Sequence, residues 1–133
     1  MKRAAGLVVI LLTLAGCAGV APPCPVGQQH AVSESLYFGT AKPVGTVTPD
    51  EWTTFLAGVV TPRFPAGLTV WPAAGQWRSA DGSITRESSF VLNLVHPADD
   101  AAERAVEAIL AEYKTRFQQE AVLRVKVHAC ISL

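Results

Sequence analysis

The chain carries no excess of charge of either sign: 11 lysines and arginines meet 11 aspartates and glutamates across 133 residues. A nucleic-acid surface needs a basic excess, and adhesion to anionic lipid heads needs clustered lysine or arginine. Neither is present, so no nucleic-acid partner is expected. Histidine is scarce too. The three that occur, His30, His96 and His128, fall at no zinc-ligand spacing, so no metal site is expected. No Gly-x-Ser-x-Gly elbow and no phosphate-binding glycine loop occur. No catalytic residue is therefore assigned, no cofactor is expected, and the reading leans away from an enzyme. Long hydrophobic runs are also missing apart from the stretch Ala4 to Ala15. That stretch falls short of the roughly 20 apolar residues a membrane span needs.

What the N-terminus does have is a pattern. Met1-Lys2-Arg3 is basic, Ala4 to Ala15 is apolar, and Leu14-Ala15-Gly16-Cys17 closes the run with small residues before a cysteine. This is the form of a bacterial lipoprotein signal. Cleavage before Cys17 and acylation of its thiol, with palmitate-type chains, would tether the chain to a membrane. The expected organisation is a signal peptide over 1–16, a lipidated linker over 17–33 and one domain over 34–133. Removing the signal leaves 117 residues, enough for one modest core. The expected location is exported and membrane-anchored, facing the periplasm or cell exterior. Ala18, in place of an aspartate, favours the outer membrane if the source is Gram-negative.

Two signals alternate along the domain. Leu36-Tyr37-Phe38-Gly39 reads as a short strand. Thr48-Pro49-Asp50-Glu51 announces a helix, with Thr48 and Glu51 set for a capping box and Pro49 at the first helical position. Trp52, Phe55, Leu56 and Val59 form its apolar stripe, which Pro62 and Pro65 end. Gly67 to Arg78 reads as an edge strand, with Pro72 and Gly75 suggesting a bulge or bend. Asp81-Gly82 marks a hairpin turn into a strand from Ile84 to about Val95. His96-Pro97-Ala98-Asp99-Asp100 starts a second helix, with acids in its first turn and Ala102, Val106, Ile109, Tyr113 and Phe117 on its buried side. Val122 to Ile131 alternates with period two and reads as the last strand. The order β-α-β-β-α-β predicts a ferredoxin-like α+β fold, a four-stranded antiparallel sheet with two helices on one face. Cys24 and Cys130 then come near each other, as a disulfide or as two separate thiols; the topology favours the disulfide.

In that fold one sheet face stays open. Taking Leu123, Val125 and Val127 as the inward set sends Arg124, Lys126 and His128 outward. Tyr37, Trp71 and Asn93 are expected beside them, a mixture that suits an anionic ligand or an acidic partner surface. A solvated sheet face and a self-pairing homodimer face are the alternatives. Arg63, Arg78 and Arg86 are second candidates for anion contacts, unless local acids such as Asp81 and Glu87 claim them.

Leu36-Tyr37-Phe38-Gly39, the passage from Val60 to Val70, Gly75-Gln76-Trp77-Arg78, Arg116-Phe117 with Gln119-Glu120, and Val122-Leu123-Arg124-Val125 together resemble the bacterial domain-of-unknown-function family 3574. The resemblance runs from about Ser33 to Cys130. It implies a small exported or lipoprotein-like protein and assigns no catalytic residue. Two function classes follow. One is a non-catalytic envelope module that binds a small molecule or another envelope protein. The other is a small enzyme of the dimeric α+β-barrel kind, working at the open face.

Overall fold

A computed structural model describes residues 22–133. The signal stretch, Cys17 and the start of the tether lie outside the described residues. The elements run β1 (Gln29–Gly39), α1 (Pro49–Phe55), a π-helical turn (Leu56–Val60), β2 (Thr69–Arg78), β3 (Ile84–His96), α2 (Asp100–Phe117) and β4 (Leu123–Ile131). The sheet order is β2-β3-β1-β4, with every neighbouring pair antiparallel. This is the expected α+β arrangement.

Local chemistry sets the helix ends. The Glu51 amide donates to Thr48 Oγ1 at 3.2 Å, and the Thr48 amide donates to Glu51 Oε2 at 2.8 Å, a complete capping box. The helix widens after Phe55, where the Thr61 amide reaches back five residues to the Leu56 carbonyl. Pro62 has no amide hydrogen with which to continue it. Asp99 caps α2 by accepting from the Ala102 amide at 2.8 Å, and Gln118 ends it in the left-handed region at φ 54°.

Both helices pack on one face of the sheet. Leu36, Phe38, Leu92 and Leu94 from the central strands meet Trp52, Phe55, Val106, Ile109, Tyr113 and Phe117. Trp52 lies flat on Phe90, with ring centroids 4.7 Å apart, and Phe38 meets the Tyr113 ring at 4.6 Å. Aromatic pairs of this kind contribute about 0.5–1.5 kcal/mol each beyond the area they bury.

The structure changes three details of the sequence reading. β1 begins at Gln29, so residues 29–33 belong to the sheet and not to the linker. Its inward residue at 34 is a glutamate, which hides the alternation. β2 pairs with β3 without interruption from Thr69↔Asn93 to Arg78↔Ile84, with no bulge at Pro72. As an edge strand, β2 can spare the amide hydrogen that proline lacks.

The third change concerns β4, where the faces are reversed. Arg124 pairs with Leu36, Lys126 with Glu34 and His128 with Val32. Cross-strand partners share a face, and Leu36, Glu34 and Val32 are buried on the helix side. Arg124, Lys126 and His128 therefore lie on the helix side, while Leu123, Val125 and Val127 lie on the open face. The Cys24–Cys130 disulfide pins the far end of this edge strand and spans 106 positions, with Cα atoms 5.6 Å apart. For a loop of that length the chain-entropy model gives about 4.7 kcal/mol, an upper figure.

Candidate functional site

The reversal of β4 separates the residues that the sequence had grouped. Tyr37, Trp71 and Asn93 are on the open face as expected, through the pairings Tyr37↔Val91, Trp71↔Val91 and Thr69↔Asn93. The cationic residues of β4 are on the other side, so they form no common surface with these three. The Asn93 amide is engaged as well, its Nδ2 donating to the Glu34 carbonyl at 3.0 Å and to Ser35 Oγ at 3.3 Å.

The β4 cations are answered from inside. Arg124 forks onto Glu34, donating from Nε to Oε2 and from Nη2 to Oε1, both at 2.6 Å. It also meets Glu103 of α2 at 2.7 and 2.8 Å. Lys126 Nζ donates to the same Glu103 carboxylate. Glu34 has no solvent exposure, and His96 Nε2 lies 3.2 Å from its Oε1. His96 Nδ1 is 2.7 Å from the Pro97 carbonyl. A carbonyl only accepts, so this nitrogen carries a hydrogen. The hydrogen bonds from Arg124, then those from Lys126, hold the Glu103 carboxyl down at about 2, and the two carboxylates in turn push the Arg124 guanidinium up. Arg124 and Lys126 are thus paired with Glu34 and Glu103, and His128 has no side-chain hydrogen bond among the described residues.

The three loop and hairpin arginines do not converge either. Arg63 donates to the Val59 carbonyl at 2.6 Å and lies 3.9 Å from Glu112. Arg78 donates to the Gly82 carbonyl at 3.3 Å rather than to an acid. Arg86 sits on β3 opposite Gln76. Asp81 instead turns to the Ser83 hydroxyl and amide, which lower its carboxyl.

Of the hollows among the described residues, the two largest are weighed by their linings. The larger, about 580 Å³, lies between the β1–α1 loop and the end of α2, lined by Lys42, Glu51 and Arg116 among others. Three of its charged residues are already paired: Lys42 Nζ bonds Glu51 at 2.8 Å and lowers its carboxyl, and Arg116 bonds Glu112 at 2.6 Å. The second, about 380 Å³, opens on the uncovered sheet face. That volume is in the range of small-molecule sites.

The second hollow has the composition of a binding cleft. Small residues make its floor: Gly39, Ala73, Gly75 and Ser89. Tyr37, Trp77 and Leu123 supply apolar walls, and Gln119, Glu120 and Ala121 close the end beyond α2. Glu87 is the carboxylate at its base. Oε2 of Glu87 accepts from the Ala41 amide at 2.7 Å, and Oε1 has no hydrogen-bond partner among the described residues. Glycine at 39 is what lets the carboxylate lie there, because a Cβ at that position would stand 2.6 Å from Glu87 Oε1. The segment over Gly39 to Ala41 is fastened from below. Tyr113 Oη donates to the Gly39 carbonyl at 2.8 Å, and Gln119 Nε2 donates to the Ala41 carbonyl. Burial, with the nearby Glu87 charge second, pushes the Tyr113 phenol up, so it stays a donor.

Of these cleft residues the sequence reading singled out only Tyr37 for the face. It assigns no role to Trp77, Gly39 or Gln119, and it gives Glu87 to an arginine. One signal was available. Tyr37 and Gly39 share a parity opposite to the apolar Leu36 and Phe38, and Ala73, Gly75 and Trp77 repeat that spacing on β2.

Residues 33–133 match the family described as a protein of unknown function, DUF3574. The chain belongs to that family. No curated protein sequence matches it. Among solved structures, a phage SAM lyase in complex with S-methyl-5'-thioadenosine is similar at a TM-score of 0.59 and 16% identity, covering 86% of this chain and 97% of the lyase chain. The same lyase in its apo state gives 0.58 and 13%, with the same shares covered. CutA from Synechococcus elongatus gives 0.53 and 12%, covering 79% of this chain and 83% of its own. At such identities the likeness is one of fold.

Proposed function

We propose that this DUF3574 chain is a lipid-tethered binding module of the bacterial envelope. Its cleft takes a small molecule with a flat apolar part and a positively charged or hydrogen-bond-donating group. The observation that carries the reading is Glu87. It is a carboxylate at the base of a cleft walled by Tyr37 and Trp77, with one oxygen fixed by the Ala41 amide and the other unpartnered among the described residues. A cation over an aromatic face and against a carboxylate gains from both contacts. The tether rests on the run Leu14-Ala15-Gly16-Cys17, which would place the module on the outer side of a membrane, the outer membrane in a Gram-negative cell.

The test is a titration followed by NMR, with tryptamine, indole-3-propionate and S-methyl-5'-thioadenosine as probes. The amine should shift the resonances of Tyr37, Trp77 and Glu87 and bind at least about tenfold more tightly than the acid, a difference of about 1.4 kcal/mol. Glu87→Gln should remove that preference. Equal binding of amine and acid, or no binding of the amine, overturns the reading. An enzyme of the dimeric α+β-barrel kind is the second reading. A phage lyase of similar fold holds S-methyl-5'-thioadenosine in its structure, which makes a nucleoside thioether or sulfonium the compound class to try. Turnover of a sulfonium nucleoside by the purified chain would favour it over a binding module.

A further inference from the structure

We infer that a second copy of this chain covers the open sheet face, sheet against sheet, so that the cleft lies between the two copies. The inference starts from β4. Leu123 is 61% exposed, Val125 44% and Val127 56%, and all three stand on the open face. Trp71, Tyr37, Trp77 and Val95 continue the exposed apolar surface across the other three strands. Leu123, Tyr37, Val91 and Trp71 form one apolar row across the four strands, flanked on one side by the uncharged Ser35, Asn93 and Thr69. Exposed apolar side chains gathered on one face in this way mark an interaction site.

Charge selects the partner. Among the strand residues of the open face, Glu87 is the one charged side chain, because Arg124, Lys126 and His128 all turn to the helix side. An acidic or basic partner would find no row of counter-charges there. An uncharged surface that mixes apolar and small polar side chains is what this face can accept, and the face itself is such a surface. A two-fold pairing is self-complementary by symmetry. It brings no like charges together at its centre, because Glu87 stands near the hairpin end of β3, away from Val127.

Size is compatible as well. Eight residue pairs join β1 to β3, which at about 3.4 Å per residue gives a length of about 27 Å. Four strands at a spacing of about 4.8 Å give a width of about 19 Å. The product is about 500 Å² per copy, or about 1,000 Å² for two, which reaches the lower bound for a specific interface before side-chain relief is counted. A shared membrane tether would add to this by holding copies at high local concentration.

The experiment is native mass spectrometry of the full lipidated chain released from detergent micelles, with sedimentation equilibrium alongside. The parent should be a dimer. Val127→Lys should raise the dimer dissociation constant about 100-fold or more, because it buries an unpaired ammonium in the interface. Its circular dichroism spectrum and melting temperature should stay those of the separated parent chain. Glu87→Gln should remain dimeric, so loss of ligand preference and loss of pairing are told apart. A parent that is monomeric at every accessible concentration overturns the inference. So does a Val127→Lys variant that pairs as well as the parent, or a parent that recruits a different protein to this face in place of itself.

Discussion

On the helix-covered face the charges of Arg124 and Lys126 are paired with Glu34 and Glu103, whereas on the open face apolar side chains stand exposed and nearly uncharged. One strand, β4, produces both conditions. Its even-numbered residues Arg124 and Lys126 reach under the sheet edge to Glu34 and Glu103, and its odd-numbered residues Leu123, Val125 and Val127 point to the uncovered side. An amphipathic strand leaves one choice open. Alternation gives the two faces of a strand but not which of them is inward. That choice is made by what the neighbouring strand buries, here a glutamate that needs a guanidinium.

The largest effect is expected from breaking the buried pair. Glu34 is fully buried and Arg124 is only 19% exposed at its side chain. Removing one partner strands the other, a loss of about 3–5 kcal/mol in buried pairs of this kind. Arg124→Leu should therefore lower stability by about that much in urea unfolding, while Glu34→Leu with Arg124→Leu should recover most of it. The sequence reading places Arg124 on an exposed face, where substitutions change stability by within about 0.5 kcal/mol. An Arg124→Leu loss under about 1 kcal/mol would favour that placement and break the contrast between the faces.

Much of the fold was legible from local chemistry. The capping box at Thr48 and Glu51, the stripe from Trp52 to Val59, the turn at Asp81-Gly82 and the run from Phe90 to Val95 each act within a few residues. Their order alone constrained the topology, and the topology brought Cys24 to Cys130. What was not legible depends on distant partners. The inward glutamate at 34 acquires its sense only beside Arg124, 90 positions away. The cleft is similar. Glu87 is placed by Gly39 at the end of β1 and by the amide of Ala41 just beyond it, and nothing adjacent to Glu87 announces that. The Gln29–Ser33 part of β1 looks like linker in the sequence because its residues are mostly polar and its pairing with β4 is a long-range fact.

A smaller effect should appear in acid and would sharpen the account of the covered face. Glu103 is held at about 2 against its ordinary 4.5, first by Arg124 and then by Lys126. A carboxyl lowered in the folded state adds stability that is present above its unfolded value and is lost as pH falls through the folded one. Stability should thus decline from about pH 4.5 towards pH 2 in part through Glu103. Glu103→Gln should flatten that limb in urea unfolding followed across this range. An acid limb as steep in the variant as in the parent would remove Glu103 from the network.

The smallest effect belongs to the open face and separates folding from association. Val125 pairs with Ser35 and is 44% exposed, so it contributes little to the folded core of a single copy. Val125→Thr keeps the β-branched shape that suits a strand and exchanges one methyl for a hydroxyl. At high dilution its melting temperature should match the parent's, within the shift that about 0.5 kcal/mol allows. As concentration rises, a self-associating parent should gain stability by mass action, and the variant should gain less. A contrasting change on the covered side, Leu92→Ala, should cost about 2–5 kcal/mol at every concentration, because it opens a cavity in the core. If Val125→Thr instead lowers the melting temperature equally at all concentrations, the open face takes part in folding itself, and the division between a folding face and an association face fails.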